Sequence, residues 1–469
     1  MAEHYKPVKY KAWEMTLEER FQEFYPPLNE REAVLEANRC LYCYDAPCMQ
    51  ACPTHIDIPT FIKKIATGNV KGSAKKILEA NLMGATCSRV CPVQELCEGA
   101  CVMEEDHKPI MIGRLQRYAM DYAAERNLKF FEKGKPNGFK VAIVGAGPAG
   151  LSCSGELAKL GYDVTIFEKK PMSGGLDTYG IVVFREPVEV SLAEVRMIEE
   201  LGVKIKNNVT VGKDIKLDEL VNDYDAVFVA MGLGNVPDME IKGENLKGVH
   251  DGLEFIEETK VKKLDQIKFG KRVCVIGAGN TAIDCATIAR RLGAERVTMI
   301  YRRSEAEMPA YHFEYQFALG EGVSFMFLTQ PVEVLGKNGQ VDGLKCVRMD
   351  LGEPDQSGRR KPVVVPDSEF VVPCDMVIKA IGQVKHSDAL KDLARFGVKD
   401  VRGYVESDDK TRRTAHPKIF AGGDCVRSKG EASTVMAVQD GKLAAAGIHA
   451  TLAGAGKQPA AAAAGKQKK

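Results

Sequence analysis

The sequence predicts an α/β chain in which a helical N-terminal module precedes two nested domains of alternating strand and helix. Three observations predict it. Eight of the fourteen cysteines lie within residues 40–101. The runs VAIVGAGPAG (141–150) and VCVIGAGNTA (273–282) each set a glycine-rich turn between an apolar strand and a helix. A third run, IFAGGDC (419–425), reads as a strand ending in Gly422, Gly423 and Asp424 and leads into an alanine-rich helix.

The N-terminal module comes first. Residues 28–39 have helical composition, and 58–69 and 70–82 read as amphipathic helices that separate the two cysteine groups. Residues 112–127 place Ile112, Leu115, Ala119 and Tyr122 on one helical face that closes the module. The cysteine ligands are therefore expected on connecting loops. Cys40, Cys43, Cys48 and Cys52, with Pro53 following, read C-x2-C-x4-C-x3-C-P; Cys87, Cys91, Cys97 and Cys101 read C-x3-C-x5-C-x3-C. Thiolates are soft ligands, and a run ending C-x3-C-P is similar to the bacterial ferredoxin arrangement, so the spacing points to iron–sulfur clusters. A disulfide framework fits poorly, because the other six cysteines are scattered and the opening residues lack a signal peptide's apolar core. Structural zinc favours paired C-x2-C knuckles at two places, and only Cys40 and Cys43 have that spacing.

Composition bounds the partners. Lys plus Arg (65) nearly balances Asp plus Glu (64), leaving a net charge of +1 and no global field to attract nucleic acid or an anionic membrane. The longest uncharged apolar runs are strand-sized, far short of the roughly 20 residues that span a bilayer. A reducing, cytoplasmic setting is expected.

The charged, Pro/Gly-bearing stretch 132–138 is a linker. In the first turn beyond it, Gly145 permits the tight bend, Gly147 lets a pyrophosphate approach the backbone, and Gly150 lets helix and strand pack closely. Pro148 and Ala149 open the helix whose N-terminus faces the anion. The next strand ends at Glu168, where a carboxylate suits a ribose diol. Strand, turn, helix, second strand and terminal acid together identify a Rossmann-like dinucleotide unit. The second turn repeats the arrangement with Gly277, Gly279, Asn280 and Thr281, and Ala282 stands for the third glycine. Its following strand ends in Arg302 and Arg303 rather than an acid. Two guanidinium groups can hold a 2′-phosphate, which favours NADPH over NADH; the alternative is a solvated surface pair.

With a strand at 378–382 preceding the third run, the first dinucleotide domain is expected to be split. The expected boundaries are 1–138 for the double-cluster helical module, 139–250 and 375–450 for the two parts of the FAD domain, 251–374 for the NAD(P)H domain, and 451–469 for a disordered tail. This nesting resembles the two-dinucleotide flavoprotein disulfide reductases. By that resemblance the first unit holds FAD and Asp424 faces the flavin ribityl chain, with Gly175, Leu176, Arg185, Gly382, Gly423 and Thr434 among its contacts. No C-x-x-C pair lies near the first unit, so disulfide reduction is not implied.

From about residue 28 to 448 the chain resembles more closely the family of the glutamate synthase small subunit, the N-terminal half of dihydropyrimidine dehydrogenase and the ferredoxin-dependent transhydrogenase large subunit. The runs RCLYCYDAPCMQACP, GATCSRVCPVQELCEGAC and IGRLQRYAMD look most like the flavin subunit of bacterial dihydropyrimidine dehydrogenase, where a glutamine matching Gln116 is an iron ligand. The resemblance implies two 4Fe–4S clusters, one on Cys40, Cys43, Cys48 and Cys101 and the other on Cys52, Cys91, Cys97 and Gln116, with Cys87 a non-ligand. Relatives often read I-P-x-F-R-L-P beside the flavin; this chain has IVVFREP (181–187), keeping Phe184 and Arg185. The resemblance implies electron flow from NADPH through FAD and the clusters to an FMN-containing partner subunit that reduces uracil or thymine. The alternatives are a glutamate synthase small subunit, a transhydrogenase large subunit, or a zinc-stabilised nucleotide-binding protein without turnover.

Overall fold

The computed structural model describes residues 15–23, 25–105, 108–354, 358–426 and 432–453. It divides into two compact units. One comprises Tyr25–Thr178, Val188–Leu233 and the described residues from Lys385 onward; the other comprises the described residues before Phe24, Tyr179–Pro187 and Gly234–Val384.

The first unit begins with the cysteine module. Asn29 caps the helix Glu30–Ala37 through a reciprocal pair with Glu32, each bond 2.9 Å. Asp57 and Asn69 cap Ile58–Ala66 and Val70–Ala80 by accepting from Thr60 and Gly72. Their apolar faces, Phe61, Ile62, Ile65 and Ile77, meet Leu115 and Ala119 of the helix Ile112–Glu125 in one core. Two further helices differ from the loop reading: Pro47–Ala51 carries Cys48, and Gly84–Val90 carries Cys87. Both are too short for hydrophobic periodicity to register.

The same unit holds a parallel sheet in the order Ile419–Ala421, Ala226–Val229, Lys140–Val144, Asp163–Glu168, Lys204–Asn207. Its inner strands are buried along most of their length, as a sheet covered on both faces requires. Leu82, Met83 and Cys87 of the cysteine module lie in one core with Val141, Ile143, Leu157, Ile198 and Val438 of this domain. The module and the sheet domain are thus joined by apolar burial as well as by the chain.

The second unit holds another parallel sheet in the order Val249–Asp251, Met376–Lys379, Arg272–Ile276, Arg296–Ile300, Ser324–Met326. The strand Met376–Lys379 pairs in register with Val249–Asp251 and with Arg272–Ile276, which corrects its expected assignment to the resumed first domain. The interruption runs from Gly234 to Val384, not from 251 to 374. The apolar run Met376, Val377 and Ile378 carries no mark of which sheet will take it. An antiparallel sheet of Thr329–Lys337, Gln340–Pro354, Arg360–Val364 and Phe370–Val372 lies within the interruption. Residues 15–23 also leave the expected N-terminal module. Phe21 packs edge-on to Phe184 at 6.0 Å, and Arg20 donates to the Arg291 carbonyl at 3.2 Å, all within the second unit. The final helix, Thr434–Ala453, extends into the first residues of the expected tail; 454–469 lie outside the described residues.

Candidate functional site

In the cysteine module, Cys40, Cys43, Cys48 and Cys101 line a single cavity whose walls are Ile58, Ile62, Ile110 and Ile112. Burial raises the pKa of Cys40, and burial together with the charges of Cys101 and Cys40 pushes that of Cys48 up to about 12. Crowded thiols in an apolar wall ionise only with positive charge among them, which is what bound iron supplies. Among the described residues, no three His, Cys, Asp or Glu side chains converge tightly enough to hold a single ion. The four sulfurs surround a cavity rather than a point, so they fit a multinuclear cluster.

The other predicted ligands sit deeper. Cys97 is held well above the ordinary thiol pKa, first by burial and then by the charges of Glu98, Cys91, Cys52 and Cys48, so Cys91, Cys52 and Cys48 each lie within electrostatic reach of Cys97. Gln116 is buried, and its Nε2 donates to the Gly84 carbonyl at 2.7 Å, leaving Oε1 outside that bond. Cys87 is buried in the core of the sheet domain, its thiol hydrogen-bonded to that of Cys91.

Glu194, which no sequence motif marked, supports this region. Its carboxylate accepts from the backbone of Ala85 at 2.7 Å and of Thr86 at 3.3 Å, and so caps the helix Gly84–Val90 from a helix of the sheet domain. Burial outweighs those bonds and pushes its pKa up to about 7.

In the first glycine turn, Gly145 has φ +100°, and a Cβ there would lie 2.5 Å from the Ala230 carbonyl. A Cβ on Gly150 would lie 2.1 Å from the Gly145 carbonyl. Gly147 caps Pro148–Lys159 with no side-chain partner, so the backbone N–H groups of the first turn face an anion without competition from a side chain. The loop after the second strand crosses this turn: Gly174 donates to the Ala146 carbonyl at 2.8 Å, and a Cβ on Gly175 would come within 2.7 Å of the Gly147 Cα. These bare Cα positions form a cradle that any side chain would fill, and they fit a dinucleotide. Ala149 packs beneath, where a Cβ on Gly423 would touch it at 3.2 Å; Leu176 is exposed at the loop's end.

Glu168 closes the turn. Its two oxygens accept from Ala146 and Lys170 backbone N–H groups, both at 2.8 Å. The carboxylate therefore anchors the glycine turn while keeping spare lone pairs for a ribose diol. On the resumed segment, Thr434 donates to Asp177 at 2.6 Å, and Asp440 accepts from the Gly423 N–H at 2.9 Å and pairs with Arg412 at 2.9 Å. Asp424 lies in the short 3-10 turn Gly423–Val426.

The second turn follows the same plan. Gly277 has φ +126°, and its Cβ would lie 2.2 Å from the Ala380 carbonyl. Gly279 caps Asn280–Leu292 without a side-chain partner, and Ala282 is fully buried. Asn280 accepts from the Tyr311 N–H at 3.1 Å, while Thr281 stands partly exposed on the first turn. An open cleft runs along the following segment, lined by Glu305, Met308, Ala310, His312 and Tyr315.

Three further predicted site residues have the following surroundings. Arg303 is buried, with its Nε donating to the Arg360 carbonyl at 2.9 Å, so the expected pair reduces to an exposed Arg302. Arg185 belongs to the second unit and forms a two-pronged ion pair with Glu314, one arm at 2.7 Å, with Asp284 at 3.7 Å. The cause is its neighbours, since Val182 and Phe184 are fully buried in that unit's apolar core. Gly382 also lies in the second unit, with φ +106°.

Residues 17–128 match the family described as dihydropyrimidine dehydrogenase domain II, 4Fe–4S cluster, and residues 139–441 match pyridine nucleotide-disulphide oxidoreductase. The glutamate synthase [NADPH] small chain of Escherichia coli K12 is 39% identical over 94% of this chain and 95% of its own length. An NAD-dependent dihydropyrimidine dehydrogenase subunit PreT homolog of Salmonella typhi is 37% identical over 89% of this chain and 94% of its own. The structure of Mycobacterium tuberculosis FprA in complex with NADPH, 20% identical, covers 68% of this chain and 86% of its own with a TM-score of 0.55, a likeness of fold. No described helix is long and apolar enough to cross a membrane.

Proposed function

Because the chain belongs to the pyridine nucleotide-disulphide oxidoreductase family, among the NAD(P)H-dependent flavin and iron–sulfur subunits that include the glutamate synthase small chain, we propose that it is the electron-input subunit of a dihydropyrimidine dehydrogenase. In this reading NADPH is oxidised at the chain, and the electrons pass to an FMN-bearing partner subunit that reduces uracil or thymine to the 5,6-dihydropyrimidine. Gln116 carries the choice among siblings. It is a buried amide, pinned by its Nε2 beside the helix that precedes Cys91, at the position where the resemblance assigns dihydropyrimidine dehydrogenases an iron-ligating glutamine.

Bound FAD would supply hydride acceptance and one-electron release, and two 4Fe–4S clusters would supply the outward relay. The chain's own residues bind and orient. Gly147 and Gly175 admit the FAD pyrophosphate to bare backbone, and Glu168 holds the turn in place for it. Gly277, Gly279 and the N-terminus of Asn280–Leu292 take the NADPH pyrophosphate. The exposed Arg302 would hold the NADPH 2′-phosphate. Cys40, Cys43, Cys48 and Cys101 hold one cluster; Cys52, Cys91, Cys97 and Gln116 hold the other.

A second reading, the glutamate synthase small chain, is favoured by the 39% identity over nearly the full length of that relative. Mixing the purified chain and NADPH with each partner in turn separates the two. Uracil consumption with the FMN partner is the expected result, and glutamate formation with a glutamate synthase large chain in its place overturns the proposal. The nucleotide preference has its own check: Arg302→Ala is expected to raise KM for NADPH about tenfold or more, the loss of one charge-assisted bond, and to leave KM for NADH nearly unchanged. Equal effects on both would remove the 2′-phosphate role.

A further inference from the structure

The helix Thr434–Ala453 carries a lysine that the relay does not use. Lys442 Nζ donates to two backbone carbonyls of the cysteine module, Thr54 at 3.0 Å and Ala80 at 2.6 Å. Thr54 is fully buried two residues beyond Cys52, and its Oγ1 lies 3.4 Å from the Cys52 Sγ. A cysteine bonded to iron is a thiolate without a proton, so in that contact the hydroxyl must be the donor. One cation thus sits on the Thr54 carbonyl, and the hydroxyl of the same residue touches a single predicted ligand sulfur.

We propose that Lys442 and Thr54 are positioning residues that raise the reduction potential of the cluster taking Cys52 relative to that of the cluster on Cys40, Cys43, Cys48 and Cys101. The inference rests on the ligand assignment under the proposed function. Reduction adds one electron to a cluster with no bond broken and no proton required. The added negative charge is stabilised by a nearby cation and by a hydrogen bond to a ligand sulfur, and hydrogen bonds and local charge are known levers on cluster potential. The helix that brings Lys442 also begins at Thr434 and carries Asp440, which holds Gly423 on the flavin-side segment. One rigid element would thus tie the nucleotide site to the potential of a single cluster.

Anaerobic redox titration of the holoprotein, followed by electron paramagnetic resonance, tests this with Lys442→Met, Lys442→Arg and Thr54→Val. Lys442→Met and Thr54→Val are each expected to move one cluster midpoint to lower potential and leave the other in place, and Lys442→Arg to keep the wild-type values. Unchanged midpoints in Lys442→Met, equal shifts of both clusters, or arginine behaving like methionine would overturn the proposal. If Lys442→Met does not fold, Thr54→Val decides alone, because it keeps the carbonyl that Lys442 uses; wild-type midpoints there sink the idea. Iron content of Cys52→Ala separates the two levels of inference. A full iron complement overturns the ligand assignment and the tuning with it, whereas loss of one cluster from Cys52→Ala beside unshifted midpoints in Lys442→Met overturns the tuning alone.

Discussion

Cys101→Ala is expected to lose one of two clusters, with iron and acid-labile sulfide falling from about eight to about four per chain and flavin content unchanged. The expectation comes from the cavity. Cys101 belongs to the second cysteine run, yet its sulfur lines one space with Cys40, Cys43 and Cys48 of the first. Removing it opens the wall of a site whose thiols are otherwise hard to ionise, as the pKa of about 12 at Cys48 illustrates. Electron delivery to any partner should fall with the iron, while flavin reduction by NADPH persists. Cys87→Ala is the control in the same run and is expected to keep all its iron, since Cys87 sits in the core of the sheet domain. Full iron in Cys101→Ala, measured on anaerobically prepared protein, would refute the crossed ligand set.

Gly145→Val should abolish FAD binding, and Gly277→Val should abolish NADPH oxidation while leaving FAD and iron in place. At residue 145 the backbone sits at φ +100°, where a β-branched residue is strained, and the first added carbon would press on the Ala230 carbonyl at 2.5 Å. Left-handed strain of about 1–2 kcal/mol and overpacking of about 1–3 kcal/mol act at the residue that shapes the turn. Stability of that domain should drop by about 2–5 kcal/mol, read as a lower Tm. Gly277 repeats the geometry, with its Cβ 2.2 Å from the Ala380 carbonyl. Flavin absorbance and NADPH turnover of the two variants assign each turn to its nucleotide; the opposite pairing of losses would exchange the two domains' roles.

Much of this arrangement was legible because it is written locally. Helical composition at 28–39 and amphipathic spacing at 58–69 and 70–82 are each carried within a single segment. Each glycine turn lies between its own strand and helix, and the cysteine spacings are self-contained. What escaped the sequence depends on distant partners. Met376, Val377 and Ile378 form an apolar run, and only pairing with Arg272–Ile276 reveals its sheet. Arg302 and Arg303 read alike until burial and the Arg360 carbonyl separate them. Segment Tyr179–Pro187 follows the loop that crosses the first glycine turn, yet Phe184 is buried among Phe21, Phe317 and Arg291. Glu194 and Lys442 meet their partners more than a hundred residues away, where neither periodicity nor spacing has reach.

The apolar seam of Leu82, Met83 and Cys87 against Val141, Leu157 and Val438 bears on how such enzymes can be taken apart. The module before residue 132 is not a detachable cassette. Severing it would leave a greasy scar on the sheet domain, and each large aliphatic side chain stripped of cover would cost about 1.5–3 kcal/mol. Swapping electron-relay modules between relatives therefore requires that the seam travel with them.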